Sequence, residues 1–191
     1  NDLKRKIINE KVLYWDDTVI SINQKDSCLR FYGTEKLALF TAHERKNKIG
    51  LDKDGILSNL TKETTVVHDH NTINYNNEYN FENAECCVHL LRDLKKLDDI
   101  LNREWMKELK KLLTETNEKR KEYFENDKEY FEDIFIDEVM LKYDEILLQA
   151  KKINKEDFNK YHGKEERALI NRLLKYKENY LMWVIRFDID F

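Results

Sequence analysis

Three acidic clusters in the chain have residue types that could perform metal-dependent chemistry. Asp16 and Asp17 follow the apolar segment VLYW, Asp69 lies between two histidines after the apolar segment VV, and Asp188 and Asp190 lie near the end. Carboxylates from neighbouring strands can together hold Mg²⁺, which prefers oxygen ligands in octahedral geometry. Two such ions about 4 Å apart can activate an attacking oxygen and stabilise a leaving one.

A structural role is the simpler interpretation of either aspartate alone. Asp16 could cap a turn and Asp69 could start an Asx-turn. The two aspartates are candidates for a shared metal site only if the fold brings them together. The elements around them therefore decide between the two interpretations.

The elements before Asp69 predict a mixed sheet. Apolar alternation and short polar separators indicate strands at 18–23, 28–33 and 36–42, which form an antiparallel meander. A short helix is predicted at 52–60, and a compact strand at 64–70. A strand that follows a helix can lie parallel beside the first strand. That arrangement places the end of strand four next to the middle of strand one.

The remaining segments are predicted to be mostly helical. The first fifteen residues indicate a short amphipathic helix, and 71–83 a loop rich in asparagine and tyrosine. From about residue 84 onward, leucines and aromatics recur at helical spacing.

A second group of chemically capable residues opens the helical half. Cys86 and His89 are three apart, so we expect them on one helical face, as half of a zinc-type ligand set. The other half would have to come from His68 or His70. A buried cysteine beside a hydrogen-bonded histidine is the competing interpretation. Arg92 could bind a phosphate or a carboxylate.

Composition narrows the classes of function. The net charge of −4 argues against simple duplex binding, although it leaves room for a local basic groove. Lysines and arginines after residue 94 are mixed with acids, which favours a solvated face over a DNA contact. Three cysteines do not form a disulfide framework and fit a reducing cytoplasm. No segment has the length and hydropathy of a membrane span, and the start lacks a signal core.

Four ordered motifs resemble the insertion sequence 66 family of bacterial transposases. The segments are VLYWDDT at 12–18, VVHDH at 66–70, CCVHLLR at 86–92, and the amphipathic ALINRLLKYKENYLMWV at 168–184. They match the family's valine-leucine-x-x-Asp-acidic-Thr stretch, its strand ending in His-Asp, its Cys-x-x-His-Leu-x-Arg stretch and its closing helix. Order and spacing agree over nearly the whole chain.

The resemblance implies an α/β (α+β) fold, with an RNase H-like mixed sheet and a large all-α insertion in the C-terminal half. Residues 1–93 would form the core with the first two catalytic acids, and 94–191 the helical insertion and its return. Asp16 would bridge two Mg²⁺ or Mn²⁺ ions and Asp69 would bind one of them. The implied residues around the metals or phosphates are Asp17, His68, His70, Cys86, His89 and Arg92.

The implied function is DNA cleavage and strand transfer at transposon ends, in the bacterial cytoplasm at the nucleoid. DNA is the implied partner, a homo-oligomer is allowed, and a membrane partner is not expected. The family's third acid is a glutamate in an Asn-x-x-Glu-Arg stretch beyond the segment that matches IRFDIDF, and this chain contains no such stretch. We therefore expect residues 1–191 alone to be inactive. The alternative is a non-catalytic, transposase-derived regulator that binds DNA or protein.

Overall fold

The structure is a computed structural model that describes residues 2–191. The chain divides into two compact units, the first ending at Cys86 and the second beginning at Cys87. The first unit is a mixed five-stranded sheet with short helices, and the second is helical. The predicted α+β class, a mixed sheet followed by a helical half, is confirmed at this level.

The strands of the first unit form one sheet in the order β3-β2-β1-β4-β5. The bounds are β1 Val12–Ile22, β2 Lys25–Gly33, β3 Ala38–His43, β4 Thr65–His68 and β5 Glu82–Glu85. β1 pairs antiparallel with β2, and β2 with β3, which confirms the predicted meander. β4 pairs parallel with both β1 and β5.

A two-residue turn sets the register of the first hairpin. Asn23 and Gln24 have φ values of 50° and 62°, so both central residues are left-handed, as in a type I′ turn. Ile22 pairs with Lys25 beside this turn, and the same register places Arg30 opposite Asp17. The local turn therefore determines which side chains meet far along the ladder.

The parallel contact of β1 with β4 was predicted, and the structure confirms it. The ladder runs from Val12 paired with Thr65 to Trp15 paired with His68, so β4 ends beside the middle of β1. The fifth strand was missed, because residues 71–83 were predicted to be loop. That segment holds a 3₁₀ turn at Thr72–Tyr75 before β5 begins.

Two predicted boundaries were wrong at the start of the chain. Helix α1 covers only Asp2–Ile8, and β1 begins at Val12. Asp16 and Asp17 therefore lie inside a strand and not in a turn before it.

The helix predicted at 52–60 is α2, Lys48–Asp54, followed by a 3₁₀ turn at Leu57–Asn59. Asn47 caps α2 by accepting from the amide of Gly50 at 3.0 Å.

One face of the sheet packs against α1 and α2. Side chains alternate between the faces of a strand, and the buried Leu13 and Trp15 of β1 lie on one face with Tyr32 of β2. They form a core with Ile7, Leu51, Ile56, Leu57, Leu60, Val66 and Phe81. Burying each large apolar side chain contributes about 1.5–3 kcal/mol, so this cluster holds the helices on the sheet.

The second unit consists of long amphipathic helices and two short ones. They are α3 Cys87–Leu101, α4 Glu104–Glu125, α5 Asp133–Glu156, α6 Gly163–Lys175, α7 Lys177–Tyr180 and α8 Met182–Ile185. Between residues 2 and 191, no helix has the length and apolar character needed to cross a bilayer.

A buried carboxylate joins α4, α5 and α6. Glu166 is fully buried and accepts hydrogen bonds from the Trp105 indole at 3.0 Å and the Asn154 amide at 2.7 Å. Arg103 also donates to Glu166 at 3.1 Å, which neutralises its charge. Breaking such a buried pair costs about 3–5 kcal/mol, so the network fixes the packing of these helices.

Candidate carboxylate site at the β1–β4 edge

Asp16 and Asp69 are adjacent by strand register. The parallel ladder ends at Trp15 and His68, and each chain continues directly into one of the two aspartates. Neighbouring strands lie about 4.8 Å apart, so the two backbones leave the ladder close together. Both side chains are partly exposed. The register thus makes the two acids neighbours along the backbone, whereas the Asp69 side chain contacts Lys46, which also lies beside Asp17.

Asp17 has a different environment from Asp16, because consecutive strand residues point to opposite faces. Its carboxylate accepts from Arg30 Nε at 2.7 Å and Nη2 at 3.3 Å, and both side chains are almost completely buried. The Trp15 indole donates to the same carboxylate at 3.4 Å. Asp17 is therefore engaged in a buried ion pair.

Asp54, at the end of α2, is the second partner of Arg30. Its carboxylate accepts from Arg30 Nη1 at 2.9 Å, Tyr32 at 3.0 Å and Thr41 at 3.1 Å, and lies 2.8 Å from His43 Nε2. Burial alone would raise the pKa of Asp54, but the hydrogen bonds from Arg30, His43 and Tyr32 outweigh it and hold the pKa below its ordinary value. Asp54 therefore ties α2 to β2 and β3.

Burial and its two carboxylate partners act in opposite directions on Arg30. Burial lowers the pKa of the guanidinium. The hydrogen bonds to Asp17 and Asp54 raise this pKa by more than burial lowers it, so the net shift is upward. Burial and the nearby charge of Asp54 likewise raise the pKa of Tyr32. Arg30 stays charged and Tyr32 stays protonated, which keeps the network intact at neutral pH.

Lys46 links this network to the candidate site. Its ammonium nitrogen lies 3.6 Å from Asp69 Oδ2 and 3.9 Å from Asp17 Oδ2. The Asp69 side chain is 27% exposed and that of Lys46 is 30% exposed, so solvent and ions can reach this contact. A cation thus already lies between two of the carboxylates at this edge.

The backbone of Asp69 is held by two side chains. His68 is buried, and its Nδ1 lies 2.8 Å from the Asp69 carbonyl oxygen. Asn74 donates to the same oxygen at 2.9 Å. The other ring nitrogen of His68 lies 2.8 Å from Asn83 Oδ1 in β5. Because it is enclosed in this way, His68 positions Asp69 and is not placed to contact a phosphate in solvent.

His70 meets a buried carboxylate that sequence reasoning did not connect with it. Its Nδ1 lies 2.6 Å from Glu85 Oε1, and the Tyr75 hydroxyl donates to the same oxygen at 2.5 Å. Glu85 is only 2% exposed. The contact joins the segment after β4 to the end of β5.

The cysteine and histidine group is split by the start of α3. The prediction placed Cys86 and His89 on one face of a helix, but α3 begins at Cys87, so Cys86 lies just before the helix. Cys86 donates its amide to the His68 carbonyl at 2.9 Å. His89 is half-buried in α3, and Arg92 is exposed on the same helix. Of the adjacent pair, Cys87 is the buried cysteine, and it donates to the Tyr180 carbonyl and accepts from the Trp183 indole.

The third acidic cluster pairs with arginines. Arg186 donates to both oxygens of Asp188, at 3.2 and 2.7 Å, and Asp190 lies 3.9 Å from Arg120. Arg120 also donates to the carbonyls of Phe187 and Ile189 at 2.7 Å. These acids therefore have structural partners within the helical unit.

The geometry defines an α+β protein with a carboxylate-rich edge where β1 meets β4. Within residues 2–191, no group of three or more His, Cys, Asp or Glu side chains is arranged to hold a metal ion. No family model, curated protein or solved structure matches the chain.

Sequence reasoning missed Arg30, Lys46, Asp54 and Glu85 as parts of this region. A signal existed for Arg30, since Cys28, Arg30 and Tyr32 occupy alternate positions of one strand and share its buried face. The alternation predicts burial of Arg30, and the register set by the 23–24 turn gives Asp17 as its partner. The others meet through contacts between segments distant in sequence, for which the pattern carries no signal.

Proposed function

We propose that the chain is a fragment of the catalytic core of a DDE transposase, in which Asp16 and Asp69 hold divalent metal for phosphodiester chemistry on DNA. The observation that carries the proposal is the parallel β1–β4 ladder ending at Trp15 and His68, which makes the two aspartates neighbours. Their partial exposure leaves the carboxylates accessible to ions.

The sheet supports an RNase H-like arrangement. An antiparallel meander, then a helix, then a strand parallel to β1 gives the order β3-β2-β1-β4-β5. In that arrangement the first acid lies within β1 and the second just after β4. The motifs that resemble insertion sequence 66 transposases place Asp16 and Asp69 at these two points.

The residues present fit part of a metal site. Asp16 and Asp69 would hold Mg²⁺ or Mn²⁺, and Asp17 is excluded as a ligand because Arg30 occupies its carboxylate. The ions would supply charge stabilisation at the phosphate. Lys46 would have to move away from Asp69. His68 and Asn74 hold the backbone of Asp69 in place.

Metal-directed backbone cleavage tests the site. Fe²⁺ with ascorbate and dissolved O₂ generates hydroxyl radicals where the iron binds, so we expect fragments cut near residues 16 and 69. The Asp69→Asn variant should lose both cuts, whereas Asp26→Asn, an exposed strand acid, should retain them. Cleavage that is absent, or unchanged in Asp69→Asn, contradicts the proposal.

The 191-residue chain alone is expected to be inactive in strand transfer. Two carboxylates bind metal more weakly than three and do not fix the geometry of two ions. Strand transfer on transposon-end DNA with Mg²⁺ measures this directly. Robust Mg²⁺-dependent product would contradict the expectation.

A second candidate is a regulator that binds DNA or protein without catalysis. The contact of Lys46 with Asp17 and Asp69 favours it, because an ammonium between carboxylates can replace a metal ion. For a regulator, Lys46→Met should lower stability and create no Mn²⁺ binding. For the metal site, the same change should strengthen Mn²⁺ binding, since it removes a competing cation.

A further inference from the structure

One segment of this acidic chain has a local excess of positive charge. The chain has a net charge of −4, yet residues 151–177 contain nine lysines and arginines and four acids. The segment includes the end of α5 and all of α6. The rest of the chain is correspondingly acidic.

The four acids of this segment have nearby basic partners. Asp157 and Glu166 pair with Arg103, which lies outside the segment. Glu156 lies 4.0 Å from Lys152, and Glu165 lies 3.2 Å from His162. Among the ion pairs of residues 2–191, none includes Lys151, Lys155 or Arg167. These three cations therefore keep their charge uncompensated at close range.

The three cations line one groove between α5 and α6. A cavity of about 420 Å³ has Lys151 and Lys155 along one wall and Arg167 and Asn171 along the other. Both pairs are four residues apart, which spaces them about 6 Å along each helix. Asn154 and Ile170, both buried, also line the cavity. The groove thus presents two facing rows of hydrogen-bond donors.

The Arg167 side chain is held in place by contacts with other side chains of the helical unit. Its Nε donates to Asn154 Oδ1 at 3.2 Å, and Asn154 in turn donates to Glu166 at 2.7 Å and to the Gly163 carbonyl at 3.0 Å. The guanidinium also lies over the Phe158 ring, 4.9 Å from its centroid. This use of Nε leaves the two terminal nitrogens for an external acceptor, and guanidinium binds phosphate oxygens well.

We propose that the α5–α6 groove binds the phosphodiester backbone of duplex DNA. Uncompensated cations bind phosphates by releasing counterions, and such contacts fix a protein on the duplex without reading its sequence. Further lysines of the segment, Lys160, Lys164 and Lys175, extend the charge beyond the cavity and favour a long polyanion over a small one. The choice of DNA as the polyanion rests on the function proposed above.

Fluorescence anisotropy with a labelled duplex in EDTA tests the groove without involving metal. We expect Lys151→Gln, Lys155→Gln and Arg167→Gln together to weaken binding and to make the slope of log affinity against log salt shallower by about 3. The matched control is Lys107→Gln, Lys111→Gln and Lys128→Gln, three lysines that each lie beside a glutamate. It should keep most of the affinity and the original slope.

Three results would overturn the groove proposal. They are no duplex binding by the wild type at about 50 mM salt, an equal loss in the groove and control variants, or binding of single-stranded RNA with none of duplex DNA. Circular dichroism of each variant excludes unfolding as the cause. Failure of the metal proposal would appear separately, as metal-directed cleavage that is absent or is unchanged in Asp69→Asn. Duplex binding in EDTA does not depend on the metal site, so Asp69→Asn should bind duplex normally there.

Discussion

Trp15 and His68 are the last residue pair in the parallel ladder between β1 and β4, and their rings meet edge to face at 5.8 Å. The aromatic contact joins the two strands at the end of their ladder. Asp16 and Asp69 follow these residues directly. The candidate site therefore lies one residue beyond a contact between two aromatic rings.

The Arg30 ion pairs are expected to contribute strongly to the stability of the first unit. Arg30→Met should lower the free energy of unfolding by about 3–5 kcal/mol, because it leaves Asp17 and Asp54 buried without a cation. Urea unfolding followed by circular dichroism measures the change. Arg5→Met is the control, since the Arg5–Asp2 pair is exposed and contributes about 1 kcal/mol or less. Equal effects of the two changes would contradict the assignment.

Asp54 should make the first unit sensitive to acid. Its pKa is lowered in the folded state, so its contribution to stability is present above the ordinary aspartate pKa of about 3.9 and is lost as the pH falls through the folded pKa. Asp54→Asn should be less stable than wild type at neutral pH, and the difference should shrink in acid. The free energy of unfolding from neutral pH to about pH 2 tests this. A difference that stays constant with pH would contradict it.

The fold was predictable where local patterns carry the information. The meander followed from alternation and polar turns, and the parallel fourth strand followed from the helix before it. β5 was missed because its four residues, ENAE, contain no β-branched or aromatic side chain. Its position comes instead from pairing with β4 through Glu82 to Glu85, a tertiary effect that composition does not reveal.

Substitutions in the β1–β2 turn test how much this local conformation contributes to the stability of the fold. Gln24 has a φ of 62°, which is unfavourable for a residue with a Cβ atom, and type I′ turns prefer Asn-Gly. Gln24→Gly should therefore raise the free energy of unfolding by about 1 kcal/mol. Gln24→Val should lower it, because a β-branched side chain fits this conformation poorly. Thermal unfolding of both variants measures the two changes, and destabilisation by glycine would contradict the turn geometry.

Thiol labelling tests the positions of the three cysteines. Cys28 and Cys87 are buried and Cys86 is partly exposed. Burial and the nearby Asp17 charge also raise the pKa of the Cys28 thiol, which lowers its reactivity. Iodoacetamide should label only Cys86 in the native protein and all three in urea, with Cys86→Ser as the control. Rapid native labelling of Cys28 would contradict the packing of β2.

The candidate site was predictable only in part. The sequence placed Asp16 and Asp69 together, because strand order can be inferred from the sequence of elements. It could not separate the roles of Asp16 and Asp17, since the expected strand began after both. Only the true start of β1 at Val12 puts them on opposite faces, with Asp17 beside Arg30.

Mn²⁺ titration by isothermal calorimetry tests the central claim most directly. Wild type should bind Mn²⁺, and Asp16→Asn and Asp69→Asn should each weaken the affinity at least about tenfold, which corresponds to about 1.4 kcal/mol. Asp26→Asn should bind like wild type. Equal Mn²⁺ affinity in wild type, Asp16→Asn and Asp69→Asn would contradict a metal site at the β1–β4 edge.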